Sequence, residues 1–261
     1  MPTVREPAVA GLFYPENAKI LGELLNDILN NAPARDITPR AIIAPHAGYI
    51  YSGEVAASAY KLLEPLKDKI HRVVILGPTH RVAVHGCAVS SADYFRTPLG
   101  DIPIDTKAVQ ALLANPNVQL SDMVHQEEHS LEVHLPFLQT VLDEFNLVPI
   151  AVGDMSANAV MELLEFFGDD PATFFVISSD LSHFHNYRTA QEIDQQTTTA
   201  IEQLQFDTIT GEMACGTYPV NGLLKFAKKH NLHCKTLDLR NSGDTEGDKN
   251  RVVGYGAYAF Y

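Results

Sequence analysis

The side chains best suited to chemistry in this chain are its histidines, eleven among 261 residues that include no tryptophan. Three of them close apolar runs. Ala44-Pro45-His46-Ala47-Gly48-Tyr49 follows one run, Gly77-Pro78-Thr79-His80 a second, and Ser178-Ser179-Asp180-Leu181-Ser182-His183 a third. If those runs are strands of an open α/β sheet, their carboxyl ends face the crevice where such sheets bind ligands. Neutral imidazole is a borderline ligand that suits divalent iron, copper and zinc. One histidine so placed more often bonds a loop carbonyl. Three at equivalent positions, His46, His80 and His183, point instead to a metal-capable pocket.

A second dense segment reads His125-Gln126-Glu127-Glu128-His129-Ser130-Leu131-Glu132-Val133-His134. The spacing predicts a helix over residues 131–144, with Glu128 and Glu132 one turn apart on a shared face at its opening. His129 and His134 are five apart and do not share that face. The pattern is neither HExxH nor HxxEH, since Val133 stands before His134. Glu128, His129 and His134 read equally well as groups that orient metal ligands or touch a substrate and as a structural polar network. The cysteines, Cys87, Cys215 and Cys234, form no CxxC pair, which argues against a disulfide framework and a zinc knuckle. Cys215 lies in a small-residue turn before an apolar helix, where the helix dipole would favour a thiolate ligand or nucleophile. The sequence alone leans toward a small side chain packed in a turn, and Cys87 and Cys234 read as core.

The elements that must position these groups follow from hydrophobic periodicity. Residues 40–45, 72–77, 86–90, 147–153 and 173–179 are nearly continuous apolar runs, as expected for strands buried on both faces. Helix-period stretches at 18–30, 52–63, 107–114, 131–144, 157–167, 189–204 and 220–229 alternate with them, which predicts an α/β domain. Residues 234–239 and 251–260 bracket a polar loop and read as a closing hairpin, so the sheet is mixed. Residues 91–105 carry two prolines and a glycine and read as an excursion with short strands of its own. No repeat or linker divides the chain, so one domain over residues 1–261 is expected. A net charge of −13 leaves no basic surface for nucleic acid or an anionic membrane. The amino terminus lacks the charge and apolar pattern of a signal peptide and no run has membrane-spanning length, so a cytoplasmic protein is expected.

Together the quoted segments resemble the Memo family, named after the mediator of ErbB2-driven cell motility, and in particular its prokaryotic members called AmmeMemoRadiSam system protein B. The motifs that carry the resemblance are REPAVAGLFYP, AIIAPHAGYIYSG, ILGPTH, YFRTPLGD, EEHSLEVHLPF, VISSDLSHF and CGTYPVNGLL. The resemblance implies a single α/β/α domain with a mixed central sheet, related in fold to LigB-type extradiol dioxygenases. It also implies metal ligands at His46, His80 and Cys215, with a thiolate where the dioxygenases use a carboxylate. That donor set suits iron(II) or copper, and zinc less well. Asp180 and His183 match the acid/base position of the dioxygenases. His185 stands where the family commonly has glycine and is an extra imidazole, read as a surface residue in preference to an additional ligand. The implied functions are a metal-dependent redox enzyme or a non-catalytic module that binds a peptide or small ligand in the same pocket, with a zinc hydrolase as a third. The family's co-occurrence with AMMECR-type and radical SAM proteins implies a shared pathway.

Overall fold

The structure is a computed structural model that describes residues 2–168 and 170–261. In chain order its first elements are β1 (Val4–Arg5), α1 (Ala18–Asn31), β2 (Ala41–Ala44), α2 (Tyr49–Tyr60), β3 (Arg72–Pro78), β4 (Cys87–Val89), β5 (Tyr94–Thr97) and β6 (Gly100–Pro103). There follow α3 (Thr106–Leu112), β7 (Val118–Leu120), α4 (Asp122–Gln126), α5 (Leu135–Val141), β8 (Asn146–Val152), α6 (Ala157–Glu165) and β9 (Thr173–Ser178). The last are β10 (His183–His185), α7 (Tyr187–Glu202), α8 (Thr217–Lys229), β11 (Cys234–Asn241) and β12 (Val252–Phe260).

The four runs richest in Val, Ile and Phe form the middle of the larger sheet as parallel neighbours in the order β2-β9-β3-β8. Every residue of β2 and β9 is buried, as are all of β3 and β8 except the first residue of each. Burial of consecutive residues requires cover on both faces. One group of helices, α1, α2 and α5, packs together with α2 over β2 and β12, while α6 packs on α8 over β3 and β9. The sheet is mixed because β12 runs antiparallel to β2 and β11, and β4 antiparallel to β8. The fold is thus a single α/β domain with one shared hydrophobic core. Among the described residues no helix is long and apolar enough to cross a membrane.

The closing hairpin forms as β11 and β12, and residues 91–105 hold β5 and β6. These two strands join β1, at the amino terminus, in a separate three-stranded sheet. The helix expected over 131–144 is much shorter: residues Glu132–His134 form a 3-10 turn and α5 spans only Leu135–Val141. Pro136 is the reason for the late start, because proline lacks an amide hydrogen and its ring clashes with the carbonyl four residues back, so it is tolerated only in a first turn. Glu128 therefore lies in an irregular connection and shares no helical face with Glu132. Their side chains go to different partners.

Candidate metal centre

Parallel pairing with Ala44 opposite Ser178 brings Pro45-His46 and Ser179-Asp180 off the sheet side by side, and His80 leaves β3 at the same edge. The His46 amide donates to Asp180 Oδ1 at 2.8 Å, which ties the two loops together. His46 Nδ1 lies 2.6 Å from Ser178 Oγ, and that hydroxyl donates its one hydrogen to Ser130 O at 2.6 Å. Ser178 must then accept from His46 Nδ1–H, which leaves Nε2 as the bare nitrogen. Burial, with the charges of His80 and His129, holds the His46 imidazolium pKa well below its ordinary value. His46 is accordingly a neutral ring with a free lone pair.

His80 is oriented in the same manner by a carboxylate. Its Nδ1 is 2.8 Å from Glu128 Oε1, and Glu128 also accepts the amides of His80 and, at 2.9 Å, Ser130. Burial works to raise the Glu128 pKa, but the hydrogen bonds and charge from His80 and the two amides outweigh it and hold the group at about 2. An ionised carboxylate only accepts, so His80 keeps its hydrogen on Nδ1 and Nε2 is free.

The third donor comes from the start of α8. Cys215 Sγ lies 3.4 Å from His46 Nε2 and accepts the Asp180 amide at 3.3 Å. Gly216 makes this approach possible: a Cβ there would stand 2.6 Å from Ser178 O and 2.7 Å from Ser179 Cβ. Contrary to the expectation from the helix entrance, the thiol pKa is raised, by burial and then by the Asp180 carboxylate. One donor atom from each of His46, His80 and Cys215 lies within 4.8 Å of the others. Ligands bound to one ion at about 2.0–2.3 Å stand about 3–4 Å apart, so small side-chain movements suffice for this set to hold an iron, copper or zinc ion.

The third imidazole gathered into the ring cluster is His129 rather than His183. Its ring stacks on His80 with centroids 4.6 Å apart and meets His46 edge-on at 5.5 Å. Its Nδ1 is 3.5 Å from Glu128 Oε1, and the Phe13 ring packs on it in a tilted contact, 4.8 Å between centroids. His80, Glu128 and His129 also lie close enough to share a cation, but the Glu128 oxygens are already committed to N–H donors. His183 donates through Nδ1–H to Leu181 O, 2.8 Å away. Phe184 is the extra residue of a β-bulge, with φ of 64°, so strain is stored directly beside His183. Asp180 is buried, and burial raises its pKa against the opposing effects of the His46 amide and nearby imidazoles.

One expected residue, His134, lies elsewhere, as does the extra imidazole of His185. His134 is fully buried with Nδ1 2.8 Å from Tyr60 Oη, outside the donor cluster. His185, at the end of β10, pairs with Val252 of β12 and is half-buried. Sequence reasoning gives Ser178 and Phe13 no role at the site, and it pairs Glu132 with Glu128 rather than with the amino-terminal segment it actually binds. The signal that marks Ser178 is a hydroxyl at the last position of a strand that leads into the Asp180 loop. Phe13 has none, because its place depends on contacts across the molecule.

A family model described as Memo-like protein matches residues 5–259. A MEMO1 family protein of Aquifex aeolicus is 36% identical over 263 residues, covering 97% of each chain. A MEMO1 family protein of Methanosarcina barkeri is 34% identical, with 97% of this chain and 98% of the relative covered. Protein MEMO1 of Mus musculus is 34% identical over 288 residues, with 98% and 96% covered. Among solved structures, an uncharacterized protein from Escherichia coli K12 superposes with a TM-score of 0.55 at 12% identity, covering 84% of this chain and 98% of the other. At that identity the likeness is one of fold.

Proposed function

The chain belongs to the Memo-like protein family, and on that premise we propose that it is a metal-dependent redox protein whose iron or copper is held by His46, His80 and Cys215. The observation that carries this reading is the approach of three suitable donors to within 4.8 Å of one another, two of them imidazoles whose Nδ1 atoms are already engaged. When bound, such an ion supplies one-electron chemistry toward dioxygen or a reduced oxygen species. The protein's own part is to fix the ligands and handle protons. Ser178 and Glu128 hold the two rings with Nε2 available. His183, anchored through Nδ1 at Leu181 O, keeps Nε2 free to accept or release a proton, and Asp180 holds the His46 loop in place. A relation to LigB-type dioxygenases, and a pathway shared with AMMECR-type and radical SAM proteins, fit the same reading. A reducing cytoplasm suits it too, since iron(II), copper(I) and a free thiol persist there.

The test begins with metal analysis of protein purified without chelator or a metal-binding tag. Wild type, Cys215→Ser and Cys215→Glu are then loaded anaerobically with iron(II) or copper(I) and exposed to oxygen with and without catechols. Oxygen consumption that needs the metal and depends on residue 215 supports the proposal. Equal, metal-independent consumption by all three proteins overturns it and leaves a module that binds a peptide or small ligand in the pocket.

A further inference from the structure

The amino-terminal segment reaches the pocket through an arrangement that neither metal ligation nor proton transfer explains. Glu132 is fully buried and spends its carboxylate on that segment: Oε2 accepts from Arg5 Nη1 and, at 2.8 Å, the Ala8 amide, while Oε1 accepts the Val9 amide at 3.0 Å and Tyr14 Oη at 2.6 Å. Arg5 also donates to His125 O at 3.0 Å and Glu128 O at 2.7 Å. Between these anchors the chain turns at Gly11, whose φ of 80° is left-handed. Phe13 is fixed on both sides of its backbone, its amide on Val9 O at 2.9 Å and its carbonyl accepting the Tyr49 amide at 2.8 Å. Its half-buried ring therefore rests against His129 by construction, 4.8 Å between centroids.

We propose that residues 5–14 form a strap that makes one wall of the metal pocket, with Phe13 as the side chain that selects by size what reaches His46 and Cys215, the two donors that are not exposed, and Glu132 as the positioning residue that holds the strap. A carboxylate with four donors from one ten-residue segment acts as a clasp, because a buried charge left with fewer partners is costly. The clasp fixes the wall. The wall needs an apolar, rigid side chain, which Phe13 supplies, and it borders the imidazole that stacks on His80.

Cys215 provides a probe of passage through this wall that needs no bound metal. Metal-free protein is alkylated with iodoacetamide or with a bulky N-substituted maleimide, and modification at Cys215 is followed by peptide mapping. Phe13→Ala is expected to raise the maleimide rate about tenfold while the iodoacetamide rate changes less than about twofold, and Phe13→Trp to slow the maleimide. Tyr14→Phe, which removes one donor from Glu132, is expected to accelerate the maleimide and to lose hydrogen-exchange protection over residues 8–14. Unchanged maleimide rates in both Phe13 variants, or equal acceleration of both reagents, overturn the proposal. Since no metal is added, this outcome is independent of whether the redox reading holds.

Discussion

Cys215 Sγ stands 3.4 Å from His46 Nε2, although 169 positions separate the two residues. This contact joins the loop after β2 to the start of α8 and brings two of the three donors together directly. A thiolate bound to copper or iron absorbs through ligand-to-metal charge transfer. Loading the protein anaerobically with copper or iron should produce such a band at one equivalent, and Cys215→Ser should abolish it. Copper(I) affinity should fall by more than the roughly 10- to 100-fold that follows loss of an outer partner. A band unchanged in Cys215→Ser would remove the sulfur from the site.

Glu128→Gln tests the support of His80. The amide side chain keeps one acceptor oxygen but turns an NH2 toward groups that are all N–H donors. Metal affinity should drop about 10- to 100-fold with little change in overall secondary structure. Competition against a chelator of known affinity measures it. Wild-type affinity in this variant would mean that His80 is held without the carboxylate.

Gly216→Ala tests the close approach of α8 to β9. The added Cβ would meet Ser178 O and Ser179 Cβ at under 3 Å, and neither a strand carbonyl nor a Cβ moves aside cheaply. The expected loss of stability is about 1–3 kcal/mol by chemical denaturation. Metal affinity should fall in parallel because the displaced residue carries Cys215. Full stability together with full affinity would show that the loop relaxes freely.

The acid limb of the stability curve should carry the signature of His125. Burial, only partly offset by its hydrogen bond to Ala88 O, pushes its pKa from 6.5 down to about 4. Between those values the unfolded chain binds a proton that the native protein does not, so native stability falls as the pH drops from 6.5 toward 4. The full contribution is about 3 kcal/mol. Asp194, raised by burial to about 6, acts with the opposite sign: its contribution is least favourable above pH 6 and improves as the pH falls toward 4. His125→Gln should flatten the wild-type slope between pH 6.5 and 4.5 in denaturant titrations. An unchanged slope would place the proton uptake on other groups.

The parts of the centre legible in the sequence are those whose position is set by a strand. His46 and His80 each follow a run so uniformly apolar that only a doubly covered strand accommodates it, and parallel neighbours must release their next residues at one edge. Cys215 follows no strand, and its spacing alone says no more than a packed turn; the family motifs single it out. His129 and Phe13 belong to irregular segments. Their places are set by Glu128 and Glu132, buried carboxylates whose donors come from distant stretches of chain, and periodicity carries no trace of such pairings. The helix expected around Glu132 failed for a local reason, Pro136, that the residue string does contain.

His183→Ala separates proton transfer from ligation. The ring is tied through Nδ1 to Leu181 O and sits beside the bulged, left-handed Phe184, so both the backbone and the anchored nitrogen restrict where Nε2 points. It lies outside the group of His46, His80 and Cys215 donors, three residues after the Asp180 whose carboxylate holds the His46 amide. A group in that position can exchange protons with a molecule in the pocket without holding the ion. Metal content measured by elemental analysis should therefore stay at the wild-type level. Metal-dependent oxygen consumption should fall by about 100- to 10,000-fold, the usual contribution of a positioned acid or base. Loss of metal would make His183 a ligand, and retention of both metal and oxygen consumption would leave the proton to another group.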